Sequence, residues 1–452
     1  MMTMAGLDEK PGQLPGLVVD GSNPLRVLAN CYVVCRECLG TLIDAYGNDA
    51  ELHNLYLDKR KTFLALLAAN GGRVWRLRNT DALLGELRAT DGREAVVRVA
   101  ALLWALDSFL KGALRQTSST GRHKVRASHS LGGEEFDVAA RITCPITERV
   151  KKKPRMEEHV SDMLTLFHPS LLITPVKVKE WGLRAVMLPR GAEELLAARC
   201  KRGDLKIAVC PMSSDAVIQK QGESGRFVVT STGDTDPQIT ALRNVLAKSR
   251  DEGVSILVLP ELRMPAALVD AAVDFLRRQR WEELSSGKGI LLLVAGSWHV
   301  EDGDGWVNRS KVLDYRGEMV WAHDKMAEYH ELQPSEERER IRRGMELQYC
   351  DSPAGRMTVA ICVGFFHKPL EELLIASGAD LFLVPAMTLR VRSLVDRARE
   401  LVRSQHGSTF VANCGKVGTG NELCFYLIPK AGAGPVYAGA TDDLHVFDLT
   451  KI

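Results

Sequence analysis

From Gly203 onward the chain alternates short runs of β-branched and aliphatic residues with longer amphipathic stretches. Leu205–Cys210, Ser255–Leu259, Ile290–Ser297, Ser310–Asp314, Met357–Cys362, Leu381–Val384, Phe410–Asn413 and Leu423–Ile428 read as strands. Asp236–Asp251, Ala267–Leu284, Leu370–Ser377 and Leu389–Gln405 carry apolar residues at helical spacing between them. Strands that are apolar on both faces need cover on both faces. Strand–helix alternation therefore predicts an α/β domain over 203–452.

The preceding residues have a different character. Pro24–Tyr46, Asp58–Ala69, Asp81–Ala89 and Ala95–Leu114 repeat apolar residues every three or four positions, with Asn70-Gly71-Gly72 and Asp91-Gly92 as stops. Residues 1–115 are thus expected to form a mainly helical accessory domain. Residues 116–202 are expected to be a basic linker and a mixed segment, with Arg184–Leu188 a short strand. Over 111–155 there are 11 basic and 4 acidic residues, including Arg149-Val-Lys-Lys-Lys-Pro-Arg155. Such a run either solvates a linker or contacts nucleic acid or another acidic partner; the linker is the expected outcome.

Composition removes several classes. Hydrophobic residues make up 45% and charged residues 26%, which excludes a mostly disordered or collagenous chain. The longest apolar stretches, Val99–Leu106 and Gly289–Gly296, fall short of the ~18–20 residues needed to cross a bilayer. Met1–Pro15 carries Asp8, Glu9 and Lys10 and no apolar leader, so a cytoplasmic location is expected. The 10 cysteines follow no disulfide-scaffold spacing and are read as free thiols.

Three strand ends in the α/β region bear chemistry. Ile256-Leu-Val-Leu-Pro-Glu261 puts a carboxylate after a strand, where α/β folds place functional groups. His323-Asp-Lys325 follows the hairpin Ser310–Trp321, and Val359-Ala-Ile-Cys362 ends a buried-type strand in a thiol. A carboxylate, an amine and a thiol together can form a nucleophilic site. Glu261 would be the general base for Cys362, while Lys325 would favour the thiolate and stabilise negative charge on the substrate.

In this order the segments resemble the nitrilase superfamily of carbon–nitrogen hydrolases over about 203–452. The resemblance rests on Leu257-Val-Leu-Pro-Glu261, Asn308-Arg-Ser-Lys-Val-Leu-Asp314 with Arg316-Gly317, Asp324-Lys325-Met326, Gly355-Arg356-Met-Thr-Val-Ala-Ile-Cys362, Ala376-Ser-Gly-Ala-Asp-Leu-Phe-Leu-Val-Pro-Ala386 and Val411-Ala-Asn413. Leu205–Cys210 resembles the family's first strand. The resemblance implies a four-layer α-β-β-α sandwich and a Glu–Lys–Cys triad of Glu261, Lys325 and Cys362. It further implies a second glutamate at Glu336 or Glu337 and an oxyanion hole formed by Lys325 with the Val363 N–H. It implies hydrolysis of a small amide, nitrile or N-carbamoyl compound through a thioester, without a metal or organic cofactor. It also implies a homodimer or larger assembly built through Leu370–Ser377 and Leu389–Gln405. The chain departs from the pattern after the cysteine, where Gly364 stands in place of an acidic residue. The Arg-Ala segment before the Val411-Ala-Asn413 strand is also displaced, with Arg397 and Arg399 nearby.

A different class of function remains open: a nitrilase-like interaction or regulatory module with little turnover, acting with a nucleic-acid-associated or antiviral-defence partner. The basic 111–155 segment is its sequence support. Other signals have simpler readings. Cys31, Cys35 and Cys38 match an iron–sulfur spacing, but they also fall on one helix face and read as core. His323, His330 and Cys350 match no common zinc spacing, and no Walker lysine–Ser/Thr pair follows the glycine-rich Gly415–Gly420.

Overall fold

The computed structural model describes residues 14–19, 23–38, 40–42, 49–69, 77–89, 91–118, 126–131, 134–140, 171–212, 219–221, 225–330, 337–388, 390–405, 407–414, 424–428, 436–438 and 444–449. The chain divides into two compact units. The first holds helices α1 (Leu14–Val18), α2 (Pro24–Glu37), α3 (Ala50–Ala68), α4 (Thr80–Leu87) and α5 (Gly92–Ser118), with strands β1 (Arg126–Leu131), β2 (Glu134–Ala140) and β3 (Leu171–Pro175). Asn23 and Asp49 cap α2 and α3 with side-chain oxygens that accept from the first free backbone amides. Cys31, Cys35 and Cys38 lie in the apolar core with Val99, Leu102 and Leu106 of α5.

One expectation changes in this unit. The stretch 116–155, read as linker, contains the antiparallel hairpin β1–β2, and β2 continues the sheet to β3. Alternation within β1 and β2 is interrupted by Ser, His and acidic residues, so periodicity did not reveal them. The basic run Arg149–Arg155 lies outside the described residues, as do Asn70-Gly71-Gly72 and Gly415–Gly420.

Among the described residues the second unit begins at Lys177 rather than near Gly203. Its elements are β4 (Lys177–Val178), β5 (Trp181–Val186), α6 (Arg190–Arg202), β6 (Lys206–Val209), β7 (Gln219–Gln221), β8 (Arg226–Ser231), α7 (Thr235–Asp251), β9 (Ile256–Val258), α8 (Ala266–Arg277), α9 (Trp281–Ser285), β10 (Leu292–Val294), β11 (Trp298–Asp302), β12 (Gly305–Asp314), β13 (Met319–Asp324), β14 (Arg338–Glu339), β15 (Glu346–Ser352), β16 (Gly355–Val359), α10 (Val363–Phe366), α11 (Glu371–Ala376), β17 (Leu381–Ala386), α12 (Val391–Gln405), β18 (Ser408–Asn413), β19 (Cys424–Leu427), β20 (Val436–Ala438) and β21 (His445–Asp448). The boundary moves because β5 pairs in parallel with β15 and because α6 is pinned by Arg199. That buried guanidinium donates to the carbonyls of Gly253, Lys288 and Gly289 and to Ser255 Oγ, all at 2.7–3.0 Å. α6 stops where Gly203 takes the left-handed conformation (φ 75°), which costs glycine nothing. The single helix expected over Ala267–Leu284 is two helices, broken at residues 278–280.

Two large mixed sheets form the body of this unit, beside a small three-stranded sheet β14-β8-β7. One runs β11-β12-β10-β9-β6-β21, with β13 paired to β12; β6, β9 and β10 are parallel. The other runs β20-β19-β18-β17-β16-β15-β5-β4, with β16, β17 and β18 parallel. The parallel strands are buried on both faces, as strands flanked by crossover helices must be. Alternate residues of each strand go to opposite cores. Ile207, Ile256 and Leu292 of one sheet share a cluster with Met357, Leu381 and Phe410 of the other. Ala208, Leu257 and Leu293 face Leu242, Leu268 and Leu276 of α7 and α8. Phe382, Val384 and Val411 face Leu373, Leu394 and Leu401 of α11 and α12.

Candidate functional site

Glu261, Lys325 and Cys362 lie at the ends of β9, β13 and β16, and the fold brings all three together. β9 ends into Pro260 and Glu261 beneath Gly296, whose left-handed backbone (φ 51°) permits a close approach. A Cβ at Gly296 would sit 2.1 Å from the Pro260 carbonyl oxygen. Lys325 is set by its own amide, which donates to Asn308 O at 2.8 Å, and Cys362 by its amide, which donates to Pro385 O at 2.9 Å. Two non-glycine residues here occupy the left-handed region: Leu262 (φ 55°), just after the carboxylate, and Cys362 itself (φ 43°). Such conformations cost on the order of 1–3 kcal/mol each and persist only where packing enforces them. At Cys362 the twist turns the strand into α10, so the thiol side chain meets the carboxylate and the ammonium while the helix begins at Val363.

Cys362 is 1% exposed, and Glu261 and Lys325 are 2% exposed. Lys325 Nζ donates to Glu261 Oε1 at 2.7 Å and to Glu339 Oε2 at 2.6 Å. Glu261 Oε1 also accepts from Asn308 Nδ2 at 3.0 Å, and its Oε2 accepts from the Met387 amide at 3.0 Å. Glu339 is held on both oxygens. Oε1 accepts from Asn308 Nδ2 at 2.9 Å and from His299 Nε2 at 2.8 Å, and Oε2 also accepts from the Tyr329 amide at 2.9 Å. Asn308 therefore bridges the two carboxylates with its two amide protons while the lysine bridges them with its charge.

The second carboxylate on Lys325, beside Glu261, is thus Glu339, two residues beyond Glu337; Glu336 lies outside the described residues. Glu339, Asn308 and His299 were not picked out as site residues by sequence reasoning. Asn308 carried a signal, its place in the hairpin preceding Lys325. Glu339 carried none, because its position depends on β14 pairing with β8.

Burial opposes the charge on Lys325, but Glu261 and Glu339, with Cys362 beyond them, outweigh it and hold the ammonium pKa above the ordinary lysine value. Burial likewise opposes ionisation of Glu339, yet Lys325 and the His299 hydrogen bond hold that carboxyl well below the usual range. For Cys362 burial dominates and the Glu261 charge adds to it. Lys325 and the Met387 amide pull the other way without winning, so the thiol pKa is raised. Lys325 thus favours the thiolate, as expected, but burial and Glu261 outweigh it. The arrangement can transfer one proton from sulfur to Glu261 at the moment of attack.

A cavity of about 520 Å³ lies elsewhere in this unit, lined by Arg184, Arg309, Trp321, Asp324 and Gln348 among others and by none of the three site residues. His323 binds Gln348 Oε1 through Nδ1 at 3.1 Å, and burial lowers its pKa. Among the described residues no group of three or more His, Cys, Asp or Glu side chains is placed to hold a metal ion. No helix among them is long and apolar enough to cross a membrane.

No protein-family model and no curated protein matches the sequence. Solved structures do resemble it. Nit3 of Saccharomyces cerevisiae, a member of branch 10 of the nitrilase superfamily, is 16% identical over 54% of this chain and 89% of its own, with a TM-score of 0.40. An amidase from Nesterenkonia sp. is 17% identical over 54% of this chain and 90% of its own, with a TM-score of 0.39. Over about 54% of its length, this chain is similar in structure to members of the nitrilase superfamily.

Proposed function

We propose that the second unit is a cysteine hydrolase of non-peptide carbon–nitrogen bonds, built as a four-layer α-β-β-α sandwich. The layering is supported by the three apolar clusters, one between the sheets and one beneath the helices on each side. The activity rests on one observation above all: a buried lysine shared by two carboxylates, one of which also meets the Cys362 thiol.

In this reading Glu261 takes the Sγ proton as Cys362 attacks the carbonyl carbon of an amide or N-carbamoyl group. The oxyanion that forms is met by Lys325 Nζ and by the Val363 N–H, which opens α10 and has no intrahelical acceptor. Glu261 returns its proton to the leaving nitrogen, and ammonia or an amine departs to leave a thioester. Water then gives up a proton to Glu261 and its oxygen attacks the thioester; collapse releases the acid and restores the thiol. A nitrile would enter the same route through a thioimidate. Glu339 stays ionised throughout and keeps Lys325 charged. No step calls for a metal or organic cofactor.

A screen of small amides, nitriles and N-carbamoyl compounds for ammonia release tests the proposal, with Cys362→Ala as the control. Release that persists in the control, with contamination excluded, overturns the mechanism. Absence of release across the screen favours the interaction-module alternative.

A further inference from the structure

Glu339 is fixed by four donors, and one of them is a side chain with a choice of proton. His299, on β11, is completely buried and points Nε2 at Glu339 Oε1, 2.8 Å away. Its other nitrogen, Nδ1, lies 2.6 Å from the backbone nitrogen of Val229. An amide N–H can only donate, so Nδ1 must present its lone pair. The ring proton is then on Nε2, and the ring is neutral.

The strand that imposes this choice also places the acceptor. β8 carries Val229, which donates to His299. Two residues earlier it carries Phe227, which pairs with Glu339 in the parallel β8–β14 register. The Arg340 amide donates to Phe227 O at 2.8 Å, and the Arg338 amide to Gly225 O at 2.7 Å. Phe227, Val229 and Trp298 pack with Leu262 in a small apolar cluster around the pair. One strand thus orients the imidazole and holds the backbone of the carboxylate it addresses.

We propose that His299 is a positioning residue of this site: it presents a fixed Nε2–H to Glu339 and so keeps that carboxylate turned onto Lys325. Neutrality is part of the role. An imidazolium here would compete with Lys325 for the Glu339 charge, whereas a neutral donor orients the carboxylate and leaves its charge to the lysine. The titratable groups around Glu339 are His299 and Lys325 and, through Lys325, Glu261 and Cys362. The inference rests on the hydrolase reading for its catalytic meaning but not for its geometry.

The test separates the two ring nitrogens. His299→Gln keeps a donor near the Nε2 position. His299→Asn keeps a polar atom near the Nδ1 position but no longer reaches Glu339. Nitrogen NMR of labelled histidine, with the His299 signal identified by its loss in His299→Gln, should report the Nε2–H tautomer with Nδ1 unprotonated at neutral pH. An Nδ1–H tautomer or an imidazolium overturns the proposal, whatever the chain hydrolyses. The rate of Cys362 alkylation against pH should then shift in His299→Asn. Without its donor Glu339 binds a proton more readily, so the acid limb moves upward. His299→Gln should keep the wild-type profile. Identical profiles for both folded variants overturn it. Where the screen has supplied a substrate, kcat/KM should fall at least about tenfold in His299→Asn and recover in His299→Gln. Failure of the screen with the NMR and alkylation results intact would sink the hydrolase reading alone.

Discussion

Lys325 Nζ sits 2.7 Å from Glu261 Oε1 with both side chains 2% exposed, although 64 residues separate them in sequence. A buried pair of this kind adds little net stability, but losing one member leaves the other charged and unsolvated, at a cost of about 3–5 kcal/mol. Lys325→Met strands two carboxylates, Glu261 and Glu339, that meet only through the ammonium and Asn308. It should lower unfolding stability by about that amount in denaturant titration and abolish turnover. Unchanged stability would mean that the pair is not closed in solution.

Cys362→Ala should act oppositely. It removes the nucleophile while leaving Lys325, Glu261 and Glu339 in place, so ammonia release should fall by about three orders of magnitude or more. The unfolding midpoint should stay near that of the wild type.

The thiol itself should be slow. Burial and Glu261 hold the Cys362 pKa above the ordinary value, so at neutral pH iodoacetamide should modify it more slowly than it modifies a free thiol. The rate should climb as pH rises beyond the usual cysteine range. Fast, pH-independent labelling at neutrality would instead indicate a resting thiolate.

Stability against pH should carry two signatures. Glu339 is depressed in the folded state, so its contribution is present above the ordinary glutamate value near ~4.3 and is lost as pH falls through the folded value. Lys325 is raised, so its contribution is present below the ordinary lysine value near ~10.4 and is lost as pH rises through the folded value. The stability difference between wild type and Glu339→Gln should be flat above about pH 5 and shrink below about pH 4. A difference that holds constant down to pH 2 would contradict the Glu339 assignment.

Assembly is a separate proposal. α11 and α12 follow Cys362 and are expected to pair across a two-fold axis, giving a homodimer or larger species. Light scattering over a wide concentration range should find at least twice the chain mass of 49.8 kDa, and a strictly monomeric mass refutes it.

The three strand ends were legible because each follows a run of apolar β-formers and is marked by a residue out of place there: a carboxylate after Pro260, an ammonium after a hairpin, a thiol before Gly364. What lay beyond them was set by distant pairing. Glu339 belongs to a segment dense in Glu and Arg, where Glu336, Glu337 and Glu339 look alike until β14 meets β8. His299 reads as one polar residue on a hairpin strand until Val229 and Glu339 claim its two nitrogens. The domain boundary was misplaced for a related reason. Nothing near Arg184 announces that its strand pairs with Glu346–Ser352.

The donors that hold the Glu261 carboxylate come from positions 47, 64 and 126 residues further along the chain. Contacts of that span are closed only after the intervening segments have been ordered, and folding slows as the mean span of contacts grows. Little of the pocket can therefore exist in an early intermediate, where a desolvated lysine without its carboxylates would be too costly to keep. Competence should arrive in the slowest phase of refolding, in step with the last gain of protection in the sheets rather than with the first appearance of helix.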